Sequence, residues 1–199
     1  MRGERWIQFL SAVNGESFGL LVEIFQNAVL EGVERLHLLL STPGGSVSYG
    51  LTLYALMRGL PIEVWTYNIG QVDSIGVVLY CAGKRRLAAP QTRFLLHGIR
   101  THLEEGNYTG DQLRNILTEL ESDQRNICRV LAESTGQTLE KVEADLSRTV
   151  TLLPEQAREY RLVDEIVTEI IPPQARLTTI FLKEEKRSGR LYNLEWERR

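Results

Sequence analysis

The stretch IEVWTYNIGQVDSIGVVLYCA, residues 62–82, decides the fold because it joins a predicted strand to a predicted helix. Residues 62–67 form an apolar run typical of a buried strand, and residues 75–82 form an apolar run that we predict to be helical. The polar sequence GQVDS separates the two runs and ends at Ser74. Serine is favoured at the start of a helix, so capping is the ordinary interpretation of Ser74. The alternative is that the junction presents Ser74 as a nucleophile.

The same order of strand, glycine-containing turn and helix occurs on both sides of this stretch. Upstream, RLHLLLST, residues 35–42, is an unbroken apolar run, and the PGGS turn after it opens another helix. Apolar residues at helical spacing precede it in residues 17–32, and residues 94–96 form a further strand after the central stretch. Buried strands that alternate with helices predict an α/β fold with a parallel sheet.

Composition excludes several classes of protein. The 199 residues carry a net charge of −3 with 43% hydrophobic residues, which fits one globular domain with an appendage and gives no nucleic-acid footprint. We find neither a signal-like start nor 18 unbroken apolar residues, so we expect a soluble cytoplasmic protein without a membrane segment. Cys81 and Cys128 lack the spacing of a metal site and are predicted to be buried thiols. We therefore expect no metal and no cofactor.

A long amphipathic helix is predicted over residues 109–134, with a capping box formed by Thr109 and Gln112. A helix of about 24 residues is roughly 36 Å long and outruns a small core. It could lie on its own domain, or it could protrude and pack on neighbouring subunits. Shorter helices at residues 139–146 and 154–160 follow, then the short strand LVDEIV and one more strand in the last stretch.

Three strand ends offer groups for catalysis. Ser74 begins a helix, where free N–H groups favour developing negative charge. His97 ends the strand FLLH, and the carboxyl edge of a parallel sheet is where catalytic groups collect. The glycines of STPGGS, residues 41–46, let a backbone N–H point into a crevice. His37 lies within an apolar strand and is predicted to be structural, whereas His102 lies in a polar loop and is predicted to be solvated.

These motifs, in this order, resemble the proteolytic subunit of the Clp protease family, within the crotonase-like superfamily. Residues 38–76 are similar to the family segment that begins with SPGGS and ends with GQAASMG. AAPQTRFLLHG, residues 88–98, resembles LPNSRIMIHQP, and LLPEQAREYRLVDEI, residues 152–166, resembles LSAEEAVEYGLIDEV. The likeness runs over residues 7–167 and implies repeated β-β-α units with a long protruding handle helix.

The resemblance also implies a function and assigns roles to residues. Ser74 would be the nucleophile and His97 the general base of a serine peptidase. Gly45 and Ile75 would supply the N–H groups of the oxyanion hole. The substrate would be a short or unfolded peptide held as an added strand. The family stacks two heptameric rings through the long helix, here residues 109–134, so we expect a homo-oligomer built from one or two heptameric rings.

The sequence departs from the family pattern at two places. The family's catalytic aspartate lies in a stretch like ERDRFLSA, and counting back from EQAREYRLVDEI puts Thr149 at its position. Threonine cannot offset the charge of an imidazolium, and Asp145 and Asp73 are candidate substitutes. The family's N-terminal segment meets the ATPase partner, but here only MRGER precedes Trp6. We therefore expect no pairing with a Clp-type ATPase.

Several alternatives stay open. The acyl-CoA chemistry of other crotonase-like proteins also uses paired backbone N–H groups, but it leaves Ser74 and His97 without a role. A catalytically weak or inactive scaffold or regulatory subunit would explain the missing aspartate. A serine–lysine mechanism could draw only on Lys84 or Lys141 within the core. By resemblance, residues 1–170 form the peptidase domain and residues 171–199 a C-terminal extension of unknown role.

Overall fold

The computed structural model describes residues 3–181 and centres on an eight-stranded, mostly parallel sheet. The strands are β1 Glu4–Phe9, β2 Arg35–Thr42, β3 Glu63–Asp73, β4 Arg85–Ala88, β5 Arg93–Leu96, β6 Val150–Leu152, β7 Glu165–Ile166 and β8 Leu177–Ile180. The main path runs β6-β5-β3-β2-β1-β8, while β4 pairs with β3 and β7. Every pairing is parallel except that of β5 with β6. The predicted parallel α/β fold is confirmed.

Six helices complete the described chain. They are α1 Gly15–Leu30, α2 Val47–Gly59, α3 Ile75–Cys81, α4 Gly110–Thr135, α5 Leu139–Arg148 and α6 Pro154–Glu159. Successive residues of β2 belong to two different apolar clusters, because successive side chains of a strand point to opposite faces of the sheet. Leu38 and Leu40 belong to the main core with the helices, whereas Leu39 belongs to a second cluster with Trp6 and Tyr67. This double burial explains why β2 reads as an unbroken apolar run.

The strand β3 is longer than predicted. It runs on through the polar GQVD sequence to Asp73, so these residues are strand rather than a connecting segment. The cause is pairing: the first part of β3 pairs with β4, and its last part pairs with β5 through Gln71, Val72 and Asp73. The short strands β4 and β6 were not predicted. The sequence also predicts a short opening strand over residues 6–13, whereas β1 runs over Glu4–Phe9.

The helix α4 has 26 residues and extends roughly 39 Å at 1.5 Å per residue. The predicted capping box is confirmed: the Thr109 side chain accepts from the Gln112 N–H, and the Gln112 side chain accepts from the Thr109 N–H. Its first half is exposed, with Leu113 at 45% and Leu117 at 55% exposure, and burial begins at Ile127. The helix therefore protrudes from the domain.

The predicted C-terminal extension contributes to the sheet. Its strand β8 pairs in parallel with β1, from Trp6 opposite Leu177 to Phe9 opposite Ile180. Residues 182–199, which belong to the same predicted extension, lie outside the described residues. The part of the extension that is described is thus continuous with the core.

Candidate active site

Ser74 occupies a strained turn between β3 and α3. Its φ of 58° and ψ of −130° lie where non-glycine residues rarely occur, at a cost of about 1–3 kcal/mol. The turn is held because the Ser74 N–H donates to the Leu95 carbonyl at 2.8 Å and the Val77 N–H donates to the Ser74 carbonyl at 3.0 Å. The Ser74 side chain makes no capping hydrogen bond. Such a strand-to-helix turn presents the serine oxygen to a ligand instead of capping the helix.

A glycine turn lies directly against Ser74. Gly44 and Gly45 have φ values of 87° and 147°. A Cβ on Gly44 would lie 2.7 Å from the Ser74 Cβ, and a Cβ on Gly45 would lie 2.2 Å from the Val13 carbonyl oxygen. Val13 holds the turn through two 2.8 Å hydrogen bonds, one to Gly44 and one from Ser46. Both the φ values and the close approach therefore require glycine.

A small cleft collects the groups around Ser74. It encloses about 160 Å³ and is lined by Gly45, Val47, Ser74, Ile75, Val77, Leu96, His97, Ile99, Arg100, Ile127, Leu131 and Leu146. Within residues 3–181, the N–H groups of Gly45 and Ile75 have no hydrogen-bond acceptor. Two free N–H donors in one cleft can stabilise the oxyanion that forms when a nucleophile attacks a carbonyl.

His97 follows β5 and is oriented by its own backbone. Its Nδ1 lies 2.7 Å from the Gly98 carbonyl oxygen. A carbonyl oxygen only accepts, so Nδ1 carries the proton and a neutral ring keeps Nε2 free to act as a base. No hydrogen bond joins His97 to Ser74 in the described part of the chain, although both line the cleft. Catalytic hydrogen bonds often form only when substrate binds.

Thr149 follows α5, is exposed and has a positive φ of 59°. The antiparallel register of β5 and β6 ends with Leu96 opposite Val150. Continuing it by one residue sets His97 opposite Thr149. No hydrogen bond joins these two side chains among the described residues. The assignment of Thr149 to the third catalytic position stays a prediction, and the register is consistent with it.

Asp145 and Asp73, the two candidates to replace the missing catalytic aspartate, are both buried, each at 6% exposure. Asp145 accepts from the Lys141 ammonium at 2.5 Å and from the Tyr160 hydroxyl at 2.8 Å. Asp73 accepts from Arg93 at 2.9 Å. Burial raises the pKa of Asp73, and the Arg93 guanidinium opposes that rise. The Asp145 carboxylate therefore accepts hydrogen bonds from Lys141 and Tyr160, whereas Asp73 directly precedes Ser74 in the chain.

The serine–lysine alternative finds no lysine in the cleft. Lys141 pairs with Asp145, and Lys84 pairs with Glu63. No lysine of the described chain is among the cleft-lining residues. The arrangement therefore favours His97 as the base.

The remaining sequence predictions concern structural residues. His37 is buried and stacks on Trp6 with ring centroids 3.8 Å apart, as predicted for a core histidine. His102 is exposed, also as predicted. Cys81 and Cys128 are buried thiols, and burial raises the pKa of Cys81 to about 11. No helix among residues 3–181 is long and apolar enough to cross a membrane.

Sequence reasoning missed the contacts of Arg93. This residue lies on β5 opposite Gln71 and donates to the side chains of both Gln71 and Asp73. The sequence does contain a sign of these contacts: Gln71 and Asp73 are two residues apart in β3, so their side chains lie on the same face of the sheet. The polar sequence GQVDS indicates a connection rather than a strand, so the sequence alone does not predict this shared face.

Comparisons with known proteins extend these observations. A model of the family described as Clp protease matches residues 2–170. The proteolytic subunit 2 of the ATP-dependent Clp protease of Prochlorococcus marinus is 27% identical over 187 residues, covering 83% of this chain and 89% of the relative. The corresponding subunit 3 of Rhizobium etli is 33% identical over 144 residues, covering 68% and 69%. A ClpP1 mutant from Listeria monocytogenes has a similar fold, with a TM-score of 0.74, 23% identity, and coverage of 83% of this chain and 92% of that one.

Proposed function

The chain belongs to the Clp protease family, and from this premise we propose that it is a serine peptidase that hydrolyses short or unfolded peptides. In this proposal Ser74 is the nucleophile and His97 the general base. One observation carries the proposal. The strained turn of Ser74 shares a cleft with His97 and with two N–H groups that have no acceptor among the described residues.

The proposed reaction follows from these positions. As the Ser74 Oγ attacks the carbonyl carbon of the substrate, its proton passes to the Nε2 of His97. The negative oxygen that forms accepts hydrogen bonds from the N–H groups of Gly45 and Ile75. His97 then gives its proton to the leaving amine, and the peptide C–N bond breaks. Water, deprotonated by the same imidazole, hydrolyses the acyl-serine ester and regenerates Ser74.

The third catalytic position limits the expected rate. The Gly98 carbonyl holds His97 in the useful tautomer but carries no full charge. Thr149, at the position of the family's aspartate, also adds no charge. In the trypsin template, replacing the aspartate by asparagine lowers turnover about 10⁴-fold. This gap supports the second candidate function, a catalytically weak or inactive scaffold or regulatory subunit.

Assembly is part of the proposal. Leu113 and Leu117 form an exposed apolar pair on the protruding half of α4, and a second subunit would cover it. We expect a homo-oligomer of one or two heptameric rings that encloses the peptide-cleaving sites. The names of the two curated relatives describe subunits of ATP-dependent proteases, which weighs against the expectation that this chain works without a Clp-type ATPase. Adding such an ATPase, ATP and a folded tagged substrate tests that expectation directly.

A serine-directed probe tests the catalytic proposal. We expect a fluorophosphonate to add one mass increment to the intact chain, at Ser74, and to abolish hydrolysis of a small ester. The Ser74→Ala variant should lose both. Ser46→Ala is the matched control, since Ser46 also precedes a helix without making a capping bond, and it should keep both. An unaltered chain that assembles but takes up no probe would favour the scaffold function.

A further inference from the structure

The cleft beside Ser74 contains an arginine without a protein partner. Arg100 lines this cleft together with Ser74 and His97, and it is exposed. Within residues 3–181, its side chain takes part in no ion pair and no hydrogen bond. A guanidinium is always charged in proteins and carries five N–H donors. These donors are therefore available to a ligand that enters the cleft.

The rest of the cleft wall supplies no negative charge. Apart from Ser74, Gly45, His97 and Arg100, the lining is aliphatic and consists of Val47, Ile75, Val77, Leu96, Ile99, Ile127, Leu131 and Leu146. No aspartate or glutamate of the described chain is among the lining residues. The acids that follow Arg100 most closely along the chain, Glu104 and Glu105, are exposed. An apolar wall strengthens the field of a single charge, so the cleft attracts anions although the whole chain has a net charge of −3.

Chain length limits where on a bound peptide this anion can be. Arg100 follows His97 by three residues, so the Cα atoms of the two residues are at most roughly 11 Å apart. An extended peptide advances about 3.3 Å per residue. A charge within about three residues of the scissile bond is therefore within reach of the Arg100 guanidinium. Among the anions that a peptide carries, a carboxylate matches the planar guanidinium, because the two groups can form two parallel hydrogen bonds.

We propose that Arg100 is a specificity-determining residue that binds a carboxylate of the peptide substrate close to the scissile bond. This role rests on the proposed function. The carboxylate belongs either to an aspartate or glutamate side chain or to the free C-terminus of a short peptide, and its chemistry is the same in both cases. Arg100 touches none of the reacting atoms, so the carboxylate contact is made equally before and during attack by Ser74. Such a contact lowers KM more than it changes kcat.

The test uses fluorogenic leucine–alanine peptides that are amidated at the C-terminus. Each peptide carries one aspartate at one position near the scissile bond and is compared with the asparagine peptide of the same shape. A second pair compares the neutral peptide as its free acid and as its amide, which separates a C-terminal carboxylate from a side chain. We expect kcat/KM to favour the carboxylate in at least one pair by roughly 3-fold to 10-fold, chiefly through KM, and the preference to shrink as salt is added.

Two substitutions at Arg100 and one control connect this preference to the residue. Arg100→Gln should bring the ratio of aspartate to asparagine peptide close to 1. Arg100→Glu should turn the preference toward a lysine peptide. Arg176→Gln is the matched control, because Arg176 is also exposed and without an ion pair in the described chain but does not line the cleft. This control should keep the preference of the unaltered chain.

A second readout does not depend on turnover. Fluorescence anisotropy of the same peptides on the assembled Ser74→Ala protein should show a lower Kd for the carboxylate peptide, and adding Arg100→Gln should remove the difference. Equal Kd values in every pair, or a difference that persists in Arg100→Gln, would overturn the role of Arg100 and leave the proposed function intact. An unaltered chain that takes no serine probe, although its Ser74→Ala form still binds the carboxylate peptide more tightly through Arg100, would remove the proposed hydrolysis and keep the recognition.

Discussion

The buried His37 makes the stability of the fold depend on pH. Its ring stacks on Trp6, and its Nδ1 lies 2.7 Å from the Tyr67 hydroxyl. Burial lowers the pKa of His37 from 6.5 to about 4, an effect that Glu4 opposes and Arg35 reinforces. The folded state therefore binds no proton at His37 between pH 6.5 and about 4, whereas the unfolded chain does. Stability rises with pH across this window and is lost as pH falls through it.

The size of the effect follows from the two pKa values. A gap of about 2.5 pH units corresponds to about 3 kcal/mol, at about 1.4 kcal/mol per unit. Replacing His37 with phenylalanine keeps an aromatic ring beside Trp6 and removes the titrating group. The variant loses the hydrogen bond to Tyr67, worth about 1 kcal/mol, and this loss is the same at every pH. The comparison must therefore use the change in stability with pH rather than stability at one pH.

The assay is chemical denaturation at fixed protein concentration, at pH 7.0 and at pH 4.5. We expect His37→Phe to lose about 2–3 kcal/mol less unfolding free energy between these pH values than the unaltered chain does. His102→Phe, which changes an exposed histidine in the same way, should behave like the unaltered chain. Equal losses in His37→Phe and in the unaltered chain would show that His37 is not the group responsible.

Three further experiments test the site, the packing between α2 and α3, and the assembly. Thr149→Asp restores a carboxylate opposite the proposed base and should raise ester hydrolysis roughly 10-fold to 100-fold; an unchanged rate would contradict the assignment. Gly50→Ala places a Cβ on α2 only 2.2 Å from a side-chain carbon at the start of α3, so it should lower the free energy of unfolding by about 1–3 kcal/mol in chemical denaturation. Gly59→Ala is the control: Gly59 also lies on α2 but faces open space, so its substitution should change the free energy of unfolding little. Leu113→Asp combined with Leu117→Asp should yield smaller species on sedimentation, and unaltered sedimentation would exclude this surface from the interface.

Long, strongly patterned elements were predictable from the sequence. The predicted bounds of the strand β2 and the helix α4 agree with the structure to within one residue, because β2 is buried on both faces and a capping box marks the start of α4. The strand β6 was missed because it has three residues and is held by pairing with β5 rather than by its own pattern. The polar end of β3 was missed for the same reason. Tertiary pairing decides such segments.

The sequence predicts the residues of the candidate site but not the contacts that those residues make. Ser74 and His97 were singled out because each stands at a strand end, and the structure brings both to one cleft. The tautomer of His97 could not be predicted, since it depends on where the Gly98 carbonyl points. The environment of Asp73 could not be predicted either, because Arg93 meets it only through the register of two strands.

The antiparallel pairing of β5 with β6 has a consequence for the order in which the site matures during translation. The His97 segment is held by residues made roughly 50 positions later, through the strand pairing and the hydrogen bond from the Gly98 N–H to the Leu146 carbonyl. At about 5–20 residues per second, the ribosome adds those residues roughly 3–10 s after His97. Until then the growing polypeptide carries Ser74 without the contacts that hold the His97 segment. In the proposed reaction, Ser74 therefore gains its fixed base only after β6 has been translated.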